Sequence, residues 1–263
     1  MTKKTFTEFT DRWDALQEQY DKDCKDALEE KIYYKATRMD GTDFYTGEVD
    51  YSNGKPTPEL AGDVNNFPGE TWYHAATTPG ECQGMSWPAR LFEVKPAAGA
   101  KTHTDKTHPH KIGATSLVIV RELPGYQVLG PNGEIVQDFI ERCRKLTAVE
   151  LDEISAWYAA RDAAGYAAGN AAEISARGAA WDAAGNAAGN AARGAAWDAA
   201  WDATRDAAWD AARDAAYDAT RDAALALSVK DLIAPEQFDI LAEPMKEIIA
   251  EILAAHEAKT ATA

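Results

Sequence analysis

At 263 residues, 46% apolar and 27% charged, the chain has material for one large domain or two ordinary ones, which excludes wholesale disorder. Its formal charge of -16 disfavours a nucleic-acid backbone or an anionic membrane as the main partner, since either would repel it. There is no apolar run of about 18 residues and no apolar leader after Met1-Thr2-Lys3-Lys4, so the expected compartment is the cytosol.

Residues 5 to 30 read as an amphipathic helix, with Phe6, Phe9, Trp13, Leu16 and Tyr20 spaced by three and four. It is expected to pack on its own domain; a seam to a second copy is the alternative, weakened by Asp23 at the next seam position. From about 31 to 136 the chain turns β-rich, and the strand runs are 31 to 37, 71 to 77, 90 to 95 and 113 to 123. In 90 to 95, Phe92 and Val94 share a face opposite Leu91, as in a half-buried strand. Gly130-Pro131-Asn132-Gly133 reads as a turn joining two short strands, 126 to 129 and 134 to 136. Residues 137 to 226 are helical by composition, and Thr147-Ala-Val-Glu150 is a capping-box pattern opening the second of these helices. Residues 227 to 263 read as a C-terminal cap, with Pro235 and Pro244 at first helical positions and Met245, Ile248, Ile249, Ile252 and Leu253 as its apolar stripe. Cys24, Cys82 and Cys143 lie far apart without C-x-x-C spacing and read as reduced, buried thiols.

From Trp157 to about Ala224 the chain advances in tetrads ending Ala-Ala or Ala-Thr, with Trp, Arg, Tyr or Gly first and usually Asp, Asn or Gly second. Alanine makes helix the default, with glycines at 165, 169, 178, 185, 189 and 194 as weak points. Four residues turn an α-helix through about 400°, so each first position lands roughly 40° beyond the last. On one unbroken helix the tryptophans would face every direction, and no flat surface could bury them all. The expected solution is a set of stacked short helices, broken at Gly185 and Gly189; a long helix wrapped on several sides is the alternative. Asp198, Asp202, Asp206, Asp210, Asp214, Asp218 and Asp222 are i,i+4 neighbours on a continuous helix, and the arginines three residues after some of them offset that repulsion. Residues 157 to 224 hold six arginines against ten acidic residues, so the segment reads as a mildly acidic solvated face rather than a polyanion. Trp and Arg are also the residues that dominate binding hot spots, which makes Trp181, Trp197, Trp201, Arg205, Trp209, Arg213 and Tyr217 the candidate protein-binding face.

Chemistry is sparse elsewhere. His103, Asp105, His108 and His110 are metal-ligand types at spacings that could surround a Zn²⁺ ion, but three lysines crowd them and no cysteine joins them. The segment therefore reads as a surface loop, with a metal site as the alternative. His256, near the end of the last helix, reads as a packed side chain. No P-loop, dinucleotide glycine fingerprint, G-x-S-x-G or H-E-x-x-H is present.

Tyr33-Tyr-Lys-Ala-Thr37, Trp72-Tyr-His-Ala75 with Pro79 after it, Leu91-Phe-Glu-Val94 and Lys111 to Leu123 together resemble an uncharacterised β-rich domain family of phage and bacterial proteins. The likeness covers roughly residues 31 to 125, and that family's domain is often followed by short Ala-rich repeats, as here. Where the family often has Gly-Phe-His-Ala-Cys, this chain has Trp72 to Ala76, so any role of that cysteine is absent. The resemblance implies a phage or prophage setting and no activity. A weaker likeness, to ADP-ribosyltransferase-like folds, implies an NAD⁺ site framed by Tyr34, Tyr73 or His74, and Glu122; Lys35 stands near where that fold usually offers His or Arg.

The expected fold is therefore α+β: an N-terminal helix (1–30), a small β-rich domain (31–136), an Ala-rich helical tetrad-repeat array (137–226) and a C-terminal helical cap (227–263). The expected function is non-catalytic binding or assembly without cofactor, in a phage-encoded protein of the host cytoplasm engaging a host or phage protein. Self-association through a second copy is open. The alternatives are an NAD-consuming ADP-ribosyltransferase-like enzyme and a virion component.

Overall fold

A computed structural model describes residues 32–82, 86–104, 106–163, 166–184, 186–204 and 210–261, so the helix expected at 5–30 and Cys24 lie outside the described residues. The chain divides into two units, Met1–Val128 and Leu129–Ala263; the first holds a sheet and the second is helical.

Six strands build the first unit: β1 (Tyr33–Thr37), β2 (Tyr73–Ala76), β3 (Arg90–Pro96), β4 (Thr102–His103), β5 (Lys111–Ala114) and β6 (Leu117–Leu123). Every pairing is antiparallel, in the order β4-β5-β2-β1-β3-β6. The run expected as one strand at 113 to 123 is thus two, because its halves pair with different partners on opposite sides of the sheet. Ala114 and Leu117 can stand at most about 10 Å apart, whereas β5 and β6 in a flat sheet would be separated by four strand spacings, roughly 19 Å. The sheet must therefore curl, and Thr115-Ser116 is the corner. Glycine-free as it is, the corner is pinned by the Thr115 amide donating to the Lys101 carbonyl and the Ala97 amide donating to the Ser116 carbonyl.

The alternation that makes these runs strands also sorts their side chains. Tyr33, Tyr73, Ala75, Phe92, Val94, Ile112, Ala114 and Leu117 fill one face together with Tyr51 from the 38–60 connection. Strand β3 departs from the half-buried expectation: Leu91 on the opposite face is fully buried, as are Phe92 and Val94. Both faces of the strand are covered from Leu91 to Val94, and its exposed residue is Lys95 at the far end. Glu93 on that second face is buried against Arg121, whose Nε and Nη2 donate to its two carboxylate oxygens at 2.7 and 2.6 Å.

Asp43 fastens the connection that carries Tyr51. Its carboxylate accepts from the backbone amides of Tyr45 (2.9 Å), Thr46 (2.6 Å) and Val49 (3.1 Å) and from the Thr46 hydroxyl (2.7 Å). Burial alone would raise its pKa; these donors outweigh it and hold the carboxyl at about 2.

In the second unit the helices are α1 (Gly133–Cys143), α2 (Ala148–Ala163), α3 (Tyr166–Ala184), α4 (Asn186–Thr204), α5 (Asp210–Ser228), α6 (Pro235–Ala242) and α7 (Lys246–Ala261). The hairpin expected around Gly130 to Gly133 is absent: 125 to 129 is a 3-10 turn and α1 begins at Gly133. Ile135, Val136, Phe139, Ile140 and Cys143 recur at helical spacing and are all buried, so the burial of this stripe overrides the turn signal before it. The Thr147 capping box forms, with the Thr147 hydroxyl and amide donating to Glu150 and the Glu150 amide donating back to the Thr147 hydroxyl. Gly189, expected to break the repeat, lies inside α4. An interior glycine costs about 1 kcal/mol relative to alanine, and the alanines around it sustain the helix. Residue 185 lies outside the described residues.

What the Ala-rich helices bury is alanine. Ala191, Ala192, Ala195, Ala196, Ala199 and Ala200 on α4, and Ala215, Ala216, Ala219, Ala223 and Ala224 on α5, are each at most 9% exposed. These are the third and fourth tetrad positions. Over three tetrads the stripe drifts only about 80°, narrow enough to stay inside one interface, and single methyl groups let α4 and α5 approach closely. Of the second-position aspartates whose side chains are described, Asp222 alone is buried; Arg177 on α3 answers it, with Nε at 3.1 Å. Around the ends of these helices Leu225, Val229, Ile233 and Leu241 form an apolar cluster with Ala176 and Ala180. Helix α7 lays Ile248, Ile249 and Ile252 inward, and its Lys259 pairs with Asp138 of α1 at 2.8 Å. Cys82 and Cys143 are buried free thiols, and burial pushes Cys82 up to about 12.

The Asp43 cradle generates a pH prediction. A carboxyl at about 2 in the fold and near 4 when unfolded contributes stability that is complete above pH ~4 and lost as pH falls towards 2. Urea unfolding of wild type between pH 6 and pH 2.5 should lose about 1 kcal/mol more than Asp43→Asn does, after allowance for solvent screening.

Candidate functional site

The first tetrad positions lie at the margins of the alanine stripes, and there the helical unit gathers its aromatic and basic side chains. Arg193 and Trp197 stand one tetrad apart on α4, and Tyr217 and Arg221 one tetrad apart on α5. The rings of Trp197 and Tyr217 meet at 4.3 Å with 33° between their planes. The Arg221 guanidinium lies over Trp197 at 5.3 Å, and that of Arg193 over Trp181 at 5.0 Å. On one straight helix residues 181 and 193 would be about 18 Å apart along the axis, so the contact requires the chain to bend between them. Trp181 is partly buried against the apolar cluster, whereas Trp197 is 38% exposed.

Between α4 and α5 this margin opens into a cavity of about 320 Å³ lined by Asn190, Arg193, Gly194, Trp197 and Arg221. Charge around it is unevenly matched. Arg177 is held by Asp222 and also by Glu173 at 2.6 Å, and its pKa is raised chiefly by the Asp222 hydrogen bonds. Arg221 reaches Asp218 only at 3.8 Å. Arg193 has no ion pair among the described residues, and its Nε is buried without a hydrogen-bond partner there. Burial first, then the charges of Arg221 and Arg177, lower its pKa.

Of the expected binding face, Trp181, Trp197 and Tyr217 thus fall in one region. Arg205 and Trp209 lie outside the described residues, and the side chains of Trp201 and Arg213 lie outside them too. Arg177, Arg193 and Arg221 are not part of the expected binding face; Arg221 is expected as the i,i+3 partner of Asp218, which it is. The available signal was position, since each is the first residue of a tetrad, as the tryptophans are.

The sheet unit disperses the residues that an NAD⁺ site would need. Tyr34 pairs with Ala76 and Glu93, which puts it on the His74 face; Glu122 pairs with Phe92, which puts it with Tyr73 on the other. Tyr73 belongs to the core. Glu122 is held by Arg90, whose Nε and Nη2 donate to it at 2.7 and 2.8 Å, and this lowers its pKa. Lys35 lies 5.4 Å over the Tyr51 ring and donates to the His74 carbonyl at 3.1 Å, and burial lowers its pKa.

The histidine-rich segment is not wholly a loop, because His103 lies on β4. His74, Gly113 and His103 form one row across β2, β5 and β4. Gly113 leaves a slot in that row, and the Phe67 ring fills it, 5.7 Å from His74, 4.9 Å from His103 and 6.0 Å from His108. Burial, with Lys111 and Lys35 nearby, lowers His74 to about 4, so it is neutral at pH 7. Among the described residues no three His, Cys, Asp or Glu side chains are placed to hold a metal ion; Asp105 lies outside them. No helix among the described residues is long and apolar enough to cross a membrane.

The chain matches no family model, no curated protein and no solved structure.

The Phe67 slot carries its own test. A Cβ on Gly113 would meet Phe67 Cε2 at 2.7 Å and Trp72 Cβ at 3.2 Å. Gly113→Ala should therefore cost about 1–3 kcal/mol through overpacking, and Phe67→Val in the same chain should recover part of that loss in thermal melts.

Proposed function

We propose that this chain is a non-catalytic binding or assembly protein that engages a protein partner through the Trp/Arg face of its tetrad repeat. In this reading the Ala-rich helices form a short helical array, the segment from Pro235 onward caps it, and the setting is that of phage-encoded proteins, in keeping with the resemblance of residues 31 to 125. One observation carries the proposal: first-position aromatic and basic residues from α3, α4 and α5 collect at one place, with Trp197 left 38% exposed. Buried aromatic and arginine anchors beside a polar rim are what binding hot spots are made of. The register of the sheet weighs against the NAD⁺ alternative, since Tyr34 and His74 face away from Tyr73 and Glu122.

Trp197→Ala on the folded protein should weaken capture of the partner by about tenfold or more, whereas Val120→Ala, at an exposed position on β6, should leave it unchanged. Equal recovery of the partner by wild type and Trp197→Ala would refute the assignment. Incubation with NAD⁺ and lysate should show no turnover in wild type or in Glu122→Gln. Turnover lost in Glu122→Gln would make the protein an enzyme instead.

A further inference from the structure

We propose that the cavity between α4 and α5 is an oxyanion site that takes the phosphate group of a small ligand between the guanidinium groups of Arg193 and Arg221. The cavity measures about 320 Å³ and opens at the exposed residues Asn190, Gly194 and Trp197. It is a shallow depression open to solvent, suited to a small anionic group rather than to enclosing an organic ligand.

Both guanidinium groups are held in place, Arg193 without an ion pair among the described residues and Arg221 with one long pair to Asp218 at 3.8 Å. Each lies over an indole face, Arg193 over Trp181 at 5.0 Å and Arg221 over Trp197 at 5.3 Å. A stacked guanidinium keeps its N–H donors at its edges, in its own plane, free to meet an acceptor. Two of the nearby carboxylates are engaged elsewhere, since Asp222 and Glu173 are held by Arg177, and Asp218 meets Arg221 through a single long contact of 3.8 Å that leaves its other donors to a ligand. Arg193 is left with a buried Nε that has no partner among the described residues, an orphaned charged donor that an incoming oxygen would satisfy.

Chemistry selects phosphate. Two positive charges on separate helices are better balanced by a dianion than by a carboxylate, and a tetrahedral group offers oxygens in both directions. Trp197 already has Arg221 over it and Tyr217 against it, so the ligand is held by its phosphate and not by stacking. The net charge of -16 repels a long polyanion, whereas a single phosphate is drawn in by the local field of the two arginines. The inference rests on the same face as the proposed function but requires no protein partner.

Titration of the purified full chain with inorganic phosphate and with pyrophosphate, at low ionic strength, should give saturable binding by calorimetry and a rise in Tm. Arg193→Gln and Arg221→Gln should each weaken it about tenfold or more. A third variant guards against misfolding: Asn190→Asp places a carboxylate on the cavity wall, and should raise Tm without ligand while abolishing phosphate binding. No binding at millimolar phosphate and pyrophosphate, or undiminished binding in Arg193→Gln, overturns the proposal. Acetate or glutamate binding as tightly as phosphate overturns the choice of ligand. Because no partner is present in the titration, phosphate binding with unaltered partner capture in Trp197→Ala refutes only the protein-partner reading, and the reverse pair of results refutes only this one.

Discussion

The helical unit depends on a mismatch: its sequence repeats every four residues, while an α-helix turns every 3.6. Each tetrad rotates its residues by about 40°, so no side chain type can hold a fixed face for long. The chain meets this with helices such as α4 and α5, 19 residues each, in which about three tetrads of the described side chains bury their alanines. Alanine suits the task for two reasons. It has the highest helix propensity, and its methyl group fills a close helix–helix contact from either of two adjacent positions without a rotamer choice. Among the described larger first-position residues Tyr217 is buried, whereas Arg177, Trp181, Arg193, Trp197 and Arg221 stay partly or more exposed along the margin.

Charge follows from the same geometry. Second-position aspartates stand next to the first-position residues and mostly face water, where their i,i+4 repulsion is screened. Asp222 is the exception, buried at 5% exposure, and its charge is tolerated because Arg177 donates to both of its oxygens. That commitment has a consequence one tetrad away on the neighbouring helices. With Asp222 and Glu173 engaged, Arg193 lacks a counterion among the described residues and rests on Trp181 instead. An indole face attracts a cation without cancelling its charge.

Much of this was legible from residue order. Strands β1, β2 and β3 follow from β-branched and aromatic runs, and the Thr147 box from its spacing, because both are local properties. What escaped notice depends on partners distant in the chain. The run from Gly113 to Leu123 looks uniform, and only its pairing with β2 on one side and β3 on the other reveals a corner at Thr115-Ser116. Residues 130 to 133 carry every mark of a hairpin turn, yet the following stripe from Ile135 to Cys143 has helical period and a core to enter. In the repeat the indole rings are the obvious candidates for burial, yet most of the residues buried along α4 and α5 are alanines. Arg177 and Arg193 carry no mark beyond the tetrad position they share with the tryptophans.

The two units differ in how they answer charged side chains near their cores, although the sheet unit too leaves the buried His74 Nε2 without a hydrogen-bond partner among the described residues. In the sheet unit the charged side chains that approach the core are answered within a few ångströms: Asp43 by three amides and a hydroxyl, Glu93 by Arg121, Glu122 by Arg90, and Lys35 by a carbonyl and a ring. Even the slot over Gly113 is filled, by Phe67. A site so satisfied has little free energy left to give a ligand, since every new contact must replace an existing one. In the helical unit Arg193 keeps unused donors beside a cavity, and the indoles that orient them are fixed before anything binds. Donors held in place and left unpaired lose little on meeting an acceptor, which is the physical argument behind the proposed recognition on α4 and α5.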